Sequence, residues 1–199
     1  MIEKGLVEGM NKIYFLLKLS LYFWIIALMG GFVLGVGPAL IAAIEIISEA
    51  DWDFKEISFK KMTLLFKENF KRGNQIFYTF GLICLFLFLS LYTSSQMTGM
   101  LFLVIDFLLV LLLIIVAISG LFSYSVVSTY EISFKNLVKL SLILFFKEVK
   151  GSVSIVIFVL ILSIVAVKFP AIAFFMGSGL LAYFLYRLGE KINQNLRIN

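Results

Sequence analysis

Long runs of apolar residues, broken by short basic stretches, set the pattern of this chain. Ile76–Tyr92, Met100–Phe122 and Pro170–Tyr186 each hold about the number of residues that a helix needs to cross a bilayer, and Ser152–Val167 is a shorter run of the same kind. Met100–Phe122 carries one charge, Asp106, and Ser152–Val167 carries none. The last two runs are joined by a tight Lys168-Phe169-Pro170 turn, and a proline at the head of a run suits a helix's first turn. A fifth region, Ile13–Ile47, is too long for one straight crossing and is broken by Gly30, Gly31, Gly35, Gly37 and Pro38. It reads either as one kinked helix or as a hairpin of Ile13–Met29 and Pro38–Ser48 turning at the glycines, the second limb short enough to be only partly inserted.

Between the runs the pattern changes to helical amphipathicity. With successive residues about 100° apart, Phe59, Met62, Leu65, Phe66 and Phe70 share one face, while Lys60, Lys61, Lys67, Glu68, Lys71 and Arg72 share the other, with Leu64 as the exception. Such a helix is expected in the plane of the membrane, its Phe side in acyl chains and its Lys side at headgroups. Lys135, Asn136, Lys139, Lys147 and Lys150 form a similar arc on a more apolar segment. The pentapeptide Glu-Ile-Ser-Phe-Lys opens both stretches, at Glu56–Lys60 and Glu131–Lys135, 75 residues apart. Each is succeeded by a Lys- and Phe-rich stretch, a glycine (Gly73, Gly151) and two apolar runs. The unit repeats in parallel orientation, unlike the inverted repeats of many transporters.

The expected fold class is therefore all-α: a polytopic helical membrane protein. Its five to six transmembrane helices form hairpins, preceded by basic amphipathic interfacial helices. The 199 residues form one transmembrane domain, with 1–50 as hairpin or kinked helix, 51–128 as first repeat and 129–199 as second.

Composition agrees. Apolar residues reach 62% and charged residues fall to 15%, more apolar surface than a soluble chain of this size could bury. A soluble enzyme, a nucleic-acid-binding domain and a disordered linker are excluded. The net charge of +5 lies in patches. Of 17 Lys and Arg, six lie in 51–73, four in 131–151, and three each before residue 20 and in the tail. The link Thr93–Gly99 has none. By the positive-inside rule the basic segments face the cytoplasm, and the hairpin reading puts both termini there too. Trp52, Tyr78 and Tyr130 fall near the same borders. A cleaved signal peptide is disfavoured by the mixed charge of the first residues and by the lack of a small-x-small site before Gly30.

Candidate chemistry is sparse. There is no histidine, and Cys84 is the one cysteine, inside an apolar run. General acid–base chemistry near neutral pH loses its usual residue, and metal sites lose their commonest ligand. No phosphate loop, nucleophile elbow or metal motif is present, so no cofactor, metal or catalytic residue is expected. Asp106 is an intramembrane carboxylate and a candidate polar site by default. Glu45 comes next, near the cytoplasmic end of the second limb. Gly35, Gly37 and Pro38 mark a helix break of the kind that can line a cavity. Gly31-x-x-x-Gly35, Ala173-x-x-x-Gly177 and Ser178-x-x-x-Ala182 have the spacing of close helix packing. Lys60, Lys67, Lys71, Lys135 and Lys139 are candidates for the membrane surface or for docking a partner. Glu49-Ala50 resembles the opening of a permease coupling loop, but no subsequent Ala and Gly complete the motif.

One segment goes beyond composition. Tyr22–Ile44 reads YFWIIALMGGFVLGVGPALIAAI, and Phe59–Gly73 reads FKKMTLLFKENFKRG. Together they resemble the YesL-like family of small bacterial membrane proteins, with its apolar helix, Gly-Pro-Ala turn, alanine-containing helix and aromatic, basic stretch. The resemblance implies a multi-pass plasma-membrane protein of Gram-positive bacteria, in the company of carbohydrate-uptake ABC transporters. It carries over no catalytic residue. The leading expectation is a non-enzymatic accessory protein of a carbohydrate importer or its regulation. An autonomous small-solute transporter or channel, using Asp106 and the Gly30–Pro38 break, is the alternative. Anionic lipids, ABC transporter subunits and a second copy of the chain are the candidate partners.

Overall fold

The structure is a computed structural model that describes residues 2–50, 52–130 and 132–197, with side chains for 5–50, 52–130 and 132–195. Glu131, in the second pentapeptide, lies outside the described residues, as do the side chains of Lys4 and Arg197. The described residues fold into helices without strands: α1 (Ile2–Met29), α2 (Val36–Ala50), α3 (Phe59–Glu68), α4 (Phe70–Ser94), α5 (Met100–Val127), α6 (Phe134–Lys147), α7 (Val149–Lys168) and α8 (Pro170–Arg197). Five of them, α1, α4, α5, α7 and α8, are long and apolar enough to cross a membrane. The chain is a polytopic helical membrane protein.

The region 13–48 is a hairpin, not a kinked helix. The reversal over residues 30–35 uses Gly31 at φ +76°, a left-handed conformation that costs glycine little. Phe32 comes next at φ +58°, and its N–H donates to the Ala27 carbonyl at 2.8 Å, which closes the end of α1. The returning limb does not lie against lipid. In α2 every residue from Gly37 to Ile44 is buried, as are Ile46, Ile47 and Ala50. A 15-residue helix spans only about 22 Å, short of the hydrocarbon core, and an all-round apolar surface marks a helix enclosed by others. Its neighbours are α1, α3, α4, α5 and α8. Just beyond it Trp52 packs on Phe15, and Phe54 meets Tyr14 edge-on, so the chain returns to the level at which the apolar part of α1 begins.

Close approach holds this centre together. A Cβ on Gly37 would lie 2.5 Å from the Gly73 carbonyl oxygen, and one on Gly73 would overlap Pro38. The glycine pair lets the starts of α2 and α4 touch backbone to backbone. Inside a bilayer, dispersion from such packing carries helix association, because lipid leaves no hydrophobic drive between helices. On the other side α8 runs against α1. The Trp24 indole stacks on Phe174 and donates to its carbonyl at 2.8 Å, and the Gly179 N–H donates to the Ser20 hydroxyl at 2.9 Å.

Two hairpins extend from this centre. Only Ile118–Gly120 and Phe122–Val127 of α5, and Gly151, Ser152 and Ile155 of α7, are buried. Their distal parts expose Leu, Ile, Val and Phe, as lipid-facing helices do. The order of short helix, long helix, long helix occurs twice, as α3–α4–α5 and α6–α7–α8. The short helices break from the long ones at Asn69 and Glu148.

The Phe side of α3 was expected in acyl chains, and the structure takes only part of that face into the protein, Phe59 and Phe70 remaining exposed. Met62 is fully buried and Phe66 nearly so, seated in the protein, with Phe66 reaching Gly30 of the hairpin turn. At Met62 and Phe66 the α1–α2 hairpin supplies apolar surface that lipid was expected to supply.

Candidate functional site

The polar groups that the fold brings together lie where the end of α2 meets α3, the start of α4 and the end of α5. A cleft of about 450 Å³ opens there, lined by Glu45, Ser48, Glu49, Leu65, Glu68, Asn69, Arg72 and residues 127–130. Glu45 and Glu49 stand one turn apart on α2. Asn69 sits at the break between α3 and α4, where the backbone leaves helical geometry (φ −91°, ψ 5°). Its side-chain amide donates to the Glu45 carboxylate at 2.8 Å and to the Leu65 carbonyl at 3.0 Å. Lys61 pairs with Glu49 at 2.7 Å.

Arg72 closes the far wall. Its guanidinium donates to the carbonyls of Tyr130 at 3.2 Å and Ile132 at 2.6 Å, pinning the α5–α6 connection to α4. The Tyr130 hydroxyl in turn donates to the Asn193 side chain at 2.8 Å, tying the same connection to α8. Burial pushes the Glu45 carboxyl from its ordinary 4.5 up to about 7. The Asn69 hydrogen bond lowers it, Glu49 and Glu68 raise it, and Arg72 lowers it. Glu45 thus takes up or releases a proton near neutral pH, within a cleft of mixed charge.

The other residues singled out in the sequence are dispersed. Asp106 lies in the distal part of α5, one carboxylate oxygen buried without a hydrogen-bond partner and with Leu103 and Phe107 exposed beside it. Gly35 packs on the backbone of Ala27, and Gly37 and Pro38 pack on Gly73. Neither Asp106 nor the Gly30–Pro38 break lines the polar cleft. Lys60, Lys67 and Lys71 are exposed along α3 and the start of α4, and Lys135 and Lys139 are exposed on α6. Leu137, Ser141 and Leu144 turn α6 onto the core, where Ser141 and Ser123 of α5 share a hydrogen bond of 2.7 Å.

Sequence reasoning missed Asn69, Arg72 and Tyr130 as members of one site. Their signal was slight: an asparagine inside one amphipathic stretch, an arginine read as part of its basic face, and a tyrosine read as a border aromatic. Their partners lie 24 to 63 residues away.

The fold and the cleft define a multi-pass helical membrane protein with a polar end. Residues 16–91 of it match the family described as "Protein of unknown function, DUF624". That stretch runs from α1 to near the end of α4 and includes the hairpin, α3, Glu45, Asn69 and Arg72. No curated protein and no solved structure matches the chain.

Proposed function

We propose that the chain is a non-enzymatic accessory protein of the YesL-like kind. It works beside an ABC importer of carbohydrates, or in that importer's regulation, in the plasma membrane of a Gram-positive bacterium. The seating of α3 carries the docking part of this reading. A helix that only anchors to a membrane surface keeps its apolar face in lipid. On α3 the protein takes up much of that face through Met62 and Phe66, while Lys60 and Lys67, with Lys71 just beyond, point away from the core. The lysines are therefore held on a clamped helix. Beside them runs a shallow furrow of about 660 Å³ lined by Phe59, Lys60, Lys61, Thr63, Leu64 and Lys67. Such a surface suits an acidic, partly apolar segment of a partner on the cytoplasmic side.

The cytoplasmic placement of both termini belongs to the same reading. It is supported by the distribution of Lys and Arg and by the return of the α1–α2 hairpin to its starting level. The link to carbohydrate uptake rests on the resemblance in Tyr22–Ile44 and Phe59–Gly73. Lys135 and Lys139 of α6 are assigned to anionic headgroups. The transporter reading needs Asp106 and the glycine break at a common cavity, and their separate settings give it no support.

The test is a mild-detergent pull-down of the tagged protein at native expression, with partners identified by mass spectrometry. Stoichiometric recovery of importer subunits is expected. Recovery of the chain alone would overturn the accessory reading.

A further inference from the structure

We propose a discrete site for an anionic phospholipid where α5, α6 and α7 meet, with one acyl chain in the furrow between α5 and α7 and the phosphate against Lys147 and Lys150. It does not depend on the docking role of α3.

Where α5 and α7 meet they leave apolar space on both sides of their contact. One side, about 370 Å³, runs past Phe146, Val149 and Val153. The other, about 220 Å³, runs past Ile155, Val159 and Leu160, and both share Ile114, Ile118 and Val156. From Val149 to Ile157 the larger space, the furrow meant here, tracks α7 for about 12 Å. Its one hydroxyl, that of Ser152, donates to the Phe145 carbonyl at 3.0 Å, so no polar group there calls for water. A dry, elongated, apolar space suits methylenes, since water needs two to four polar partners.

The charged end fixes the lipid class. The furrow begins at the junction of α6 and α7, where Lys147 and Lys150 are exposed, and among the described residues neither forms an ion pair. Glu148 between them turns toward α8, where the Asn195 amide donates to it at 3.1 Å. A zwitterionic lipid fills the furrow but leaves the lysines without net charge to meet. Free phosphate meets the lysines but leaves the furrow empty.

The test is native mass spectrometry of the full chain released from micelles containing equal palmitoyl-oleoyl phosphatidylglycerol and phosphatidylcholine. One retained phosphatidylglycerol is expected in preference to phosphatidylcholine. Each lysine at an anionic surface changes affinity about fivefold, so the pair Lys147→Gln and Lys150→Gln should lower retention by about ten-fold or more. Val153→Trp, on an exposed wall position, should block the chain with the lysines intact. Lys60→Gln with Lys67→Gln should leave retention unchanged. Should Val153→Trp fail to fold, six-carbon phosphatidylglycerol offered to the native protein replaces it, and weaker retention than of the long-chain lipid is expected. Unchanged retention in the Lys147/Lys150 variant overturns the site. So does equal loss in the Lys60/Lys67 variant, which would show only diffuse charge attraction. Unchanged retention in Val153→Trp, or equal retention of the six-carbon lipid, overturns the furrow as the seat of the chain.

Discussion

At the residue scale, Glu45 and the Gly37–Gly73 contact carry the most specific consequences. The Glu45 carboxyl titrates near 7 in the fold and near 4.5 in the unfolded chain. Between those values the folded form holds a proton that the unfolded form has lost, so stability falls as pH rises from about 4.5 to about 7 and then levels off. Glu45→Gln keeps an acceptor for the Asn69 amide and removes the charge. It should stabilise the protein at pH 8 by about 1 kcal/mol, the effect being screened by solvent at this partly open cleft, and leave it unchanged at pH 4. Thermal unfolding in detergent at both pH values measures this, and equal shifts at the two would contradict the assignment. Gly73→Ala should cost about 2–3 kcal/mol, because the new methyl meets the backbone of α2 rather than a yielding side chain. Gly9→Ala, with nothing near its Cβ, should be neutral or slightly stabilising, and similar melting of the two variants would remove the close approach of α2 and α4 from the account.

At the scale of the element, α3 separates a clamped helix from a floating one. Phe66→Ala empties a buried site and should destabilise the protein by about 3 kcal/mol, whereas Leu64→Ala, at a 56% exposed position, should stay within about 0.5 kcal/mol. A helix resting in lipid would show no such contrast in unfolding measurements. Periodicity alone found α3: its spacing gave the helix and the division into Phe and Lys faces. Periodicity could not say what covers the Phe face, because lipid and protein demand the same apolar pattern. The same ambiguity hid the position of α2. Its run Pro38–Ile44 is apolar on all sides, and that pattern does not reveal that five helices surround it. The long helices were legible because about 20 apolar residues leave a chain few alternatives. The Gly31 turn was legible because glycines and a proline punctuate an otherwise unbroken run.

At the scale of the whole molecule, the helices gather their polar groups at one end and leave two apolar hairpins for lipid. Arg72, Tyr130 and Asn193 join α4, the α5–α6 connection and α8 at that end. The cleft was illegible in sequence because its members come from separate helices, and only folding sets their distances. On the proposed topology, single cysteines in a Cys84→Ser background should be shielded from an impermeant thiol reagent at position 67 and labelled at position 96. Labelling of intact cells at residue 4 would put the N-terminus outside and undo the returning hairpin as a membrane topology. On the proposed function, α3 presents its lysines to a partner. The most direct measurement compares pull-downs of the native protein and of a variant with Lys60, Lys67 and Lys71 changed to Gln, at matched expression. These exposed side chains should leave the melting temperature nearly unchanged. Importer subunits should be recovered with the native chain and lost with the variant, whereas equal recovery with both would reduce α3 to a membrane anchor and contradict the account.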